Sequence, residues 1–239
     1  MRKNAEKQGT YRYILFYKPY GVLTAFTDPE GRPTLKDWIP VPDVYPAGRL
    51  DMDSEGLLFL SNDGDLMHRI TDPRYQHPKT YLVQVEGVVS GEALAKLRRG
   101  VEVKGRQTQR CQVMVIPEPD LPPRAKPVTP HGPTTWLRMV LTEGKKRQVR
   151  HMTAAVGHPT LRLVRVAIGP LSLEGLTPGE WRDLTPQELA LLKRSLRLTD
   201  GRIPAMSAGN ARESRYRNAA RQSSNRGSRP SGADDPVQE

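Results

Sequence analysis

An α+β fold around a central, mainly antiparallel sheet is the architecture the sequence predicts, on three observations. Strand-like and helix-like segments follow one another irregularly. No βαβ unit repeats, as it would in a doubly wound sheet. The chain of 239 residues, 36% hydrophobic and 26% charged, is long enough for one large domain or two small lobes around a sizeable core.

Residues 1–10 are polar and are expected to form a flexible N-terminus. YRYILFYK at 11–18, rich in aromatic and β-branched residues, reads as the first strand, and Pro19 stops it. Residues 33–39 allow one or two helical turns, and 45–50 lead into a turn. Leu57, Leu58, Phe59 and Leu60 form an apolar run bounded by Gly56 and by Asn62, Asp63 and Gly64, the pattern of a buried strand between turns. Asp63 suits the N-cap of a short helix to Ile70. KTYLVQVEGVV at 79–89 alternates like a half-buried strand; Ser90 can cap a helix through Arg99 that Gly100 ends. Strands are expected near 110–116 and 135–142. Between them, seven prolines in 117–133 exclude a helix or a central strand, so this stretch is a long surface loop. KKRQVRHMTAAVG suits a helix ending at Gly157, TLRLVRVAIG a strand, and Thr185 with Glu188 a capping box for a last helix. From about 197 to 239 the composition turns to Ser, Asn, Gly and Arg, with Arg212, Arg215, Arg217, Arg221, Arg226 and Arg229 among small polar residues. Such a segment buries too little apolar surface to offset its chain entropy and is expected to be a disordered tail.

A net charge of +11 and a pI near 9.9 imply an anionic partner. No apolar run reaches the length of a membrane span, and the N-terminus lacks the apolar core of a signal peptide, so a cytoplasmic protein without a membrane partner is expected. A single cysteine, Cys111, excludes an intrachain disulfide, and five histidines show no zinc-site spacing.

Chemistry concentrates in GRLDMDSEGLLFLSNDG at 48–64, where Asp51, Asp53 and Glu55 cluster at the mouth of a core strand. An acid on a strand-entry loop is most often a solvated turn residue. Three other segments give Asp51 company: Lys18-Pro19-Tyr20-Gly21 after the first strand, Lys79-Thr80-Tyr81 at the opening of another, and Gly144-Lys145-Lys146-Arg147-Gln148-Val149-Arg150-His151 at a helix start. Together they resemble the pseudouridine synthase family over roughly residues 12–184, most specifically in GRLD followed by DSEGLL, in K-x-Y, and in EGKKRQVRHM. The match is nearest to the ribosomal RNA branch. The motifs begin within twenty residues of the start, so the S4 RNA-binding module common in that branch is not expected here. Three positions depart from the usual pattern, Tyr17, Met52 and His151, and none removes a group the reaction requires.

The resemblance implies a catalytic domain at 11–196 with lobes of about 11–105 and 106–196, sharing the sheet and enclosing a basic active-site cleft. It implies an isomerase that turns uridine into pseudouridine, working as a monomer without cofactor or metal. Asp51 would be the nucleophile, acting on the ribose, on the base, or in loss of a ribose proton. Tyr81 would stack on the flipped base, and Arg150 would pair with Asp51. Lys145, Lys146 and Arg147 at the helix start, with Lys18, Arg49 and Lys79, would contact RNA phosphates. Asp53 and Glu55 are expected to serve the turn, through its N–H groups or Arg49. TDPEGRPTLKDWIP, PTLRLVRVAIGPLSL and GEWRDL point to large-subunit ribosomal RNA; transfer RNA and small-subunit RNA are the alternatives. A metal-dependent nuclease would use Asp51, Asp53 and Glu55 as ligands, and a non-catalytic ribosome-assembly protein would need neither Asp51 nor Tyr81.

Overall fold

A computed structural model describes residues 11–197, which form eleven strands and four α-helices. In chain order these are β1 (Tyr13–Lys18), β2 (Tyr45–Pro46), β3 (Glu55–Ser61), α1 (Gly64–Thr71), β4 (Lys79–Glu86), α2 (Gly91–Arg99), β5 (Glu102–Val103), β6 (Arg106–Gln107), β7 (Gln112–Ile116), β8 (Thr134–Leu141), α3 (Gln148–Ala155), β9 (Thr160–Ile168), β10 (Leu171–Ser172), β11 (Trp181–Asp183) and α4 (Pro186–Arg197). The expectations for residues 1–10 and for the tail beyond Arg197 lie outside the described residues.

The main sheet runs β11-β1-β3-β9-β4-β8-β7, with β2 added to β3 and β10 to β9, while β5 and β6 form a separate hairpin. Its pairings are antiparallel except that of β3 with β9, which is parallel and brief: Glu55 faces Val164 and Gly56 faces Arg165. This brief contact joins two halves, β11-β1-β3 and β9-β4-β8-β7. The expected division near 105/106 is therefore corrected. β1 takes β11 from the far end of the chain as its edge partner, and β4 pairs along its whole length with β8. Each half mixes early and late segments, as antiparallel pairing of distant strands requires.

Burial explains which segments were readable. β1 and β3 have apolar residues on both faces: Leu15, Leu57 and Phe59 pack with Leu66, Ile70 and Leu192 from α1 and α4, while Ile14, Phe16, Leu58 and Leu60 pack with Leu35, Ile39 and Val44. A strand covered on both sides is apolar throughout and shows no alternation. β4 is covered on one face, where Tyr81, Val83 and Val85 join Leu97, Leu137, Met139 and Met152 under α2 and α3, and it alternates accordingly. The helix starts follow their caps. Asp63 accepts from the Leu66 N–H, Ser90 accepts from the Ala93 N–H, and Thr185 and Glu188 bond each other's backbone N–H at 3.2 and 2.8 Å. α3 begins later than expected, at Gln148: Lys145–Arg147 form a turn before it, and Arg147 sits in the left-handed region at φ 55°.

Gly56 is the tightest point of the junction. Its φ is +109°, and a Cβ there would fall inside van der Waals contact with the Arg165 backbone. Gly56→Ala should therefore destabilise the fold by roughly 2 kcal/mol or more. Gly64→Ala, with open space in the first turn of α1, should be neutral or stabilising by about 0.5 kcal/mol. Urea unfolding midpoints of the two variants check the contrast.

Candidate active site

The turn carrying Asp51 lies between β2 and β3 and is held from both sides. The Thr24 hydroxyl donates to the Leu50 carbonyl at 2.7 Å and accepts from the Leu50 N–H at 3.2 Å; the Ser54 N–H closes the turn on the Asp51 carbonyl at 3.0 Å. Gly21, at φ +83° in the turn after β1, donates its N–H to the Met52 carbonyl at 2.8 Å, so the Lys18–Gly21 segment props the Asp51 turn. Asp51 lines a cavity of about 340 Å³ together with Arg49, Lys79, Tyr81, Arg165 and the Lys145–Gln148 turn, a volume within the range of small-molecule sites. The structure thus brings the distant segments singled out in the sequence to one place. Tyr81 is nearly buried in the wall, flanked by Leu141 and Leu163. A bulge between Thr80 and Tyr81 shifts the register against β9, so Tyr81 stands beside Arg165.

Three expectations about charge are corrected. Arg150 does not pair with Asp51: its Nη2 donates to the Asp53 carbonyl at 2.6 Å and lies 3.3 Å from the Asp53 carboxylate, and its Nη1 donates to the Thr160 carbonyl at 3.3 Å. Arg147 instead approaches Asp51, at 4.0 Å, while gripping both Asp53 oxygens at 2.9 and 3.0 Å. Arg147 and Arg150 are three residues apart at the start of α3, so both reach the same turn. Asp53 keeps a bond to its own N–H in the turn but is held chiefly by Arg147 and Arg150, and Glu55 serves neither the turn nor Arg49: it is buried against Arg162, at 2.8 and 3.0 Å. Two of the three carboxylates of a nuclease site, Asp53 and Glu55, are therefore already taken by arginines, and among the described residues no group of three or more His, Cys, Asp or Glu could hold a metal.

Lys18 is the third correction. It is fully buried and its Nζ donates to the Pro19 and Val22 carbonyls, both at 2.8 Å, so it cannot contact RNA. Burial pulls its pKa down to about 7, against the upward pull of Glu55, Asp53 and Asp51. Lys79 reaches the cavity but is tied in the same manner, to the Ile70 and His77 carbonyls at 3.3 and 3.0 Å, and burial lowers its pKa to about 8. Burial also raises the Asp53 carboxyl, but the hydrogen bonds from Arg147 and the charges of Arg150 and Arg147 prevail and hold it below the usual carboxylate range. Lys145, Lys146 and Arg49 stand exposed at the rim.

Sequence reasoning missed Arg165. It is 3% exposed, its Nε donates to the Leu57 carbonyl at 2.8 Å, and its buried Nη2 has no hydrogen-bond partner in a cavity that also holds Asp51. The available signal was a pair of arginines, Arg162 and Arg165, inside the otherwise apolar strand LRLVRVAI.

A half-exposed carboxylate beside an aromatic wall and a buried guanidinium, ringed by exposed lysines, suits work on a flipped base of an anionic polymer. The family model described as RNA pseudouridylate synthase matches residues 12–155. The chain belongs to the RNA pseudouridylate synthase family. Two curated members named ribosomal large subunit pseudouridine synthase E are similar to it. The one from Vibrio vulnificus is 52% identical over 73% of this chain and 75% of its own length; the one from Xanthomonas axonopodis is 55% identical over 69% and 90%. A crystal structure of a pseudouridylate synthase superposes with a TM-score of 0.65 at 29% identity, covering 76% of this chain and 74% of that one. Members of the RNA pseudouridylate synthase family are isomerases, and this chain is one of them.

Two predictions follow from the charges of this synthase. Asp53 and Arg147 should be coupled by about 1 kcal/mol in a double-mutant cycle of Asp53→Asn and Arg147→Ala, measured by urea unfolding; additive losses would show that the pair contributes nothing. The pKa of Lys18 falls from 10.5 unfolded to about 7 folded. Its charge therefore costs stability at pH 7 and below, and that cost is relieved as the pH rises from about 7 toward 10.5. Lys18→Met should lack this component, so its stability should rise less with pH between 7 and 9 than that of the parent chain.

Proposed function

We propose that this chain isomerises a uridine of large-subunit ribosomal RNA to pseudouridine, with Asp51 as the nucleophile. The observation that carries the reading is Asp51 itself. It is the acid of its cluster whose carboxylate is not bound bidentately by an arginine, and it opens into the cavity that contains Tyr81 and Arg165. In the reaction the bond between ribose carbon and base nitrogen breaks, the uracil turns, and a ring carbon takes the place of the nitrogen. The nitrogen gains a proton and the carbon loses one, so the change is an isomerisation with no external oxidant, reductant or cofactor. A carboxylate at the sugar stabilises or traps the oxocarbenium-like centre. Tyr81 offers a face to the turning base. Arg165 and Arg147, in place of Arg150, are the cations we assign to the neighbourhood of Asp51. Lys145, Lys146 and Arg49 at the rim are assigned to phosphates, where exposed charges gain from counterion release.

The assignment of large-subunit RNA over transfer or small-subunit RNA draws support from the names of the two relatives more than 50% identical. We place the enzyme in the cytoplasm with its substrate and read it as a monomer; among the described residues no helix is long and apolar enough to cross a membrane.

Pseudouridine mapping across total RNA, from cells lacking this chain and from the same cells supplied with the parent or Asp51→Asn, tests both parts. The expected outcome is one large-subunit site lost, restored by the parent chain and not by Asp51→Asn, while purified Asp51→Asn binds RNA within about threefold of the parent because phosphates supply most of the affinity. A lost transfer RNA site would refute the substrate, and restoration by Asp51→Asn would refute the nucleophile.

A further inference from the structure

Residues 96–110, KLRRGVEVKGRQTQR, hold six cations and one acid. They comprise the last turns of α2, the hairpin of β5 and β6, and the strand-like return toward β7. Lys96 is paired with Glu92, and the Arg98 Nε donates to the Val113 carbonyl. Arg99 is exposed but feels the Glu92 carboxylate; Lys104, Arg106 and Arg110 are exposed, and among the described residues none of their side chains has an ion pair or hydrogen bond. This contrasts with the arginines near Asp51, which are tied to carboxylates or carbonyls.

The hairpin bearing these charges is firmly seated. The Val101 N–H bonds the Thr108 hydroxyl at 2.9 Å, and the Thr108 N–H bonds the Val101 carbonyl at 3.0 Å. Gly100, at φ +90°, lets the two segments approach so closely that a Cβ would strike the Thr108 backbone. Val103 packs partly against the core beneath α3. At its tip, Lys104 and Gly105 both have positive φ, the geometry of a tight two-residue hairpin turn. Its base is bonded to the cavity rim. The Gln109 N–H donates to the Glu143 carboxylate at 2.8 Å, the Thr142 hydroxyl donates to the Gln109 side chain at 3.2 Å, and Glu143 also holds Lys145 at 3.4 Å. Glu143 and Lys145 both line the cavity.

We infer that this hairpin is a second RNA-binding surface, which takes the phosphates of the strand flanking the target uridine. The inference rests on the substrate being RNA, as proposed above, and adds where the RNA runs. A cation free of carboxylates keeps its full attraction for phosphate, and a rigid hairpin loses little entropy when RNA docks. Because its base shares Glu143 with the rim lysine, a strand leaving the cavity past Lys145 meets Arg110 and then the hairpin. RNA fits this surface better than an acidic protein does, since the basic path is continuous with the rim of an RNA-modifying site.

The test is the triple variant Lys104→Gln, Arg106→Gln, Arg110→Gln in the full chain, beside a control triple variant Lys36→Gln, Lys193→Gln, Arg194→Gln, whose exposed cations lie on other elements. Pseudouridine formation is measured on a long RNA fragment containing the target and on a minimal stem-loop. Both are taken from whichever RNA the parent enzyme modifies, so an error in the substrate assignment leaves this test intact. Unfolding midpoints confirm that both variants fold. For the hairpin variant on the long fragment, KM should rise about tenfold near physiological salt, kcat should stay within about twofold, and the slope of log affinity against log salt should flatten by about 2. The minimal stem-loop should lose much less. An unmoved KM and slope, as a protein-docking hairpin would give, overturns the inference. So does an equal loss in the control variant, or an equal loss on the minimal stem-loop.

Discussion

The brief parallel contact between β3 and β9 is the constraint on which the rest of this structure depends. There Gly56 faces Arg165, and the two halves of the sheet approach more closely than any side chain at position 56 would allow. Asp51 precedes the contact by one turn, and Tyr81 stands in register with Arg165 on the next strand, so both cavity residues take their places from it. The buried pair of Glu55 and Arg162 sits at the same level, 2.8 Å apart. Such a pair adds little net stability, because desolvating two charges costs about what their attraction returns, yet removing one partner leaves a buried charge costing on the order of 3 to 5 kcal/mol. It therefore penalises any arrangement of the halves that separates β3 from β9.

Five residues of one segment, Asp51 to Glu55, contain three carboxylates with three different fates. Glu55 lies inside β3 and is consumed by Arg162; Asp53 ends the turn and is consumed by Arg147 and Arg150; Asp51 is left half-exposed with its nearest cation at 4.0 Å. The difference is positional and not chemical. Residues at the strand mouth meet β9, those at the end of the turn meet the start of α3, and those at its beginning meet solvent in the cavity.

What could be read in the sequence was what local chemistry decides. Asp63, Ser90 and the Thr185/Glu188 box mark helix starts because a cap bonds within its own first turn, and Leu57–Leu60 mark a strand because both faces are covered. The four chemistry-bearing segments were legible as a set; three of them line one cavity, and the fourth, Lys18–Gly21, props the Asp51 turn. What was not legible depends on distant partners. Lys18 ends an apolar strand and reads as a surface cation, but the chain folds back at 19–22 and surrounds it with carbonyls. Whether Arg147 or Arg150 lies nearer Asp51 depends on how α3 meets a turn some 95 residues earlier, which helical spacing alone cannot decide. β11, three residues long, carries no pattern; it is a strand because β1 offers it an open edge.

Buried carbonyls require donors, and around the junction many of them belong to turns, loops and a helix end that no sheet ladder serves. Here the donors are cationic side chains. Lys18 serves Pro19 and Val22, Lys79 serves Ile70 and His77, Arg150 serves Asp53 and Thr160, Arg162 serves Pro122, and Arg165 serves Leu57. A carbonyl satisfies a hydrogen bond without cancelling the donor's charge. Of these donors Lys79 and Arg165 line the cavity and leave positive potential there, whereas the charges of Arg150 and Arg162 are offset by Asp53 and Glu55. The backbone's need for donors therefore fixes where two of the cavity's cations stand, while Arg49, Lys145 and Lys146, which serve no such carbonyl, are left exposed at the rim.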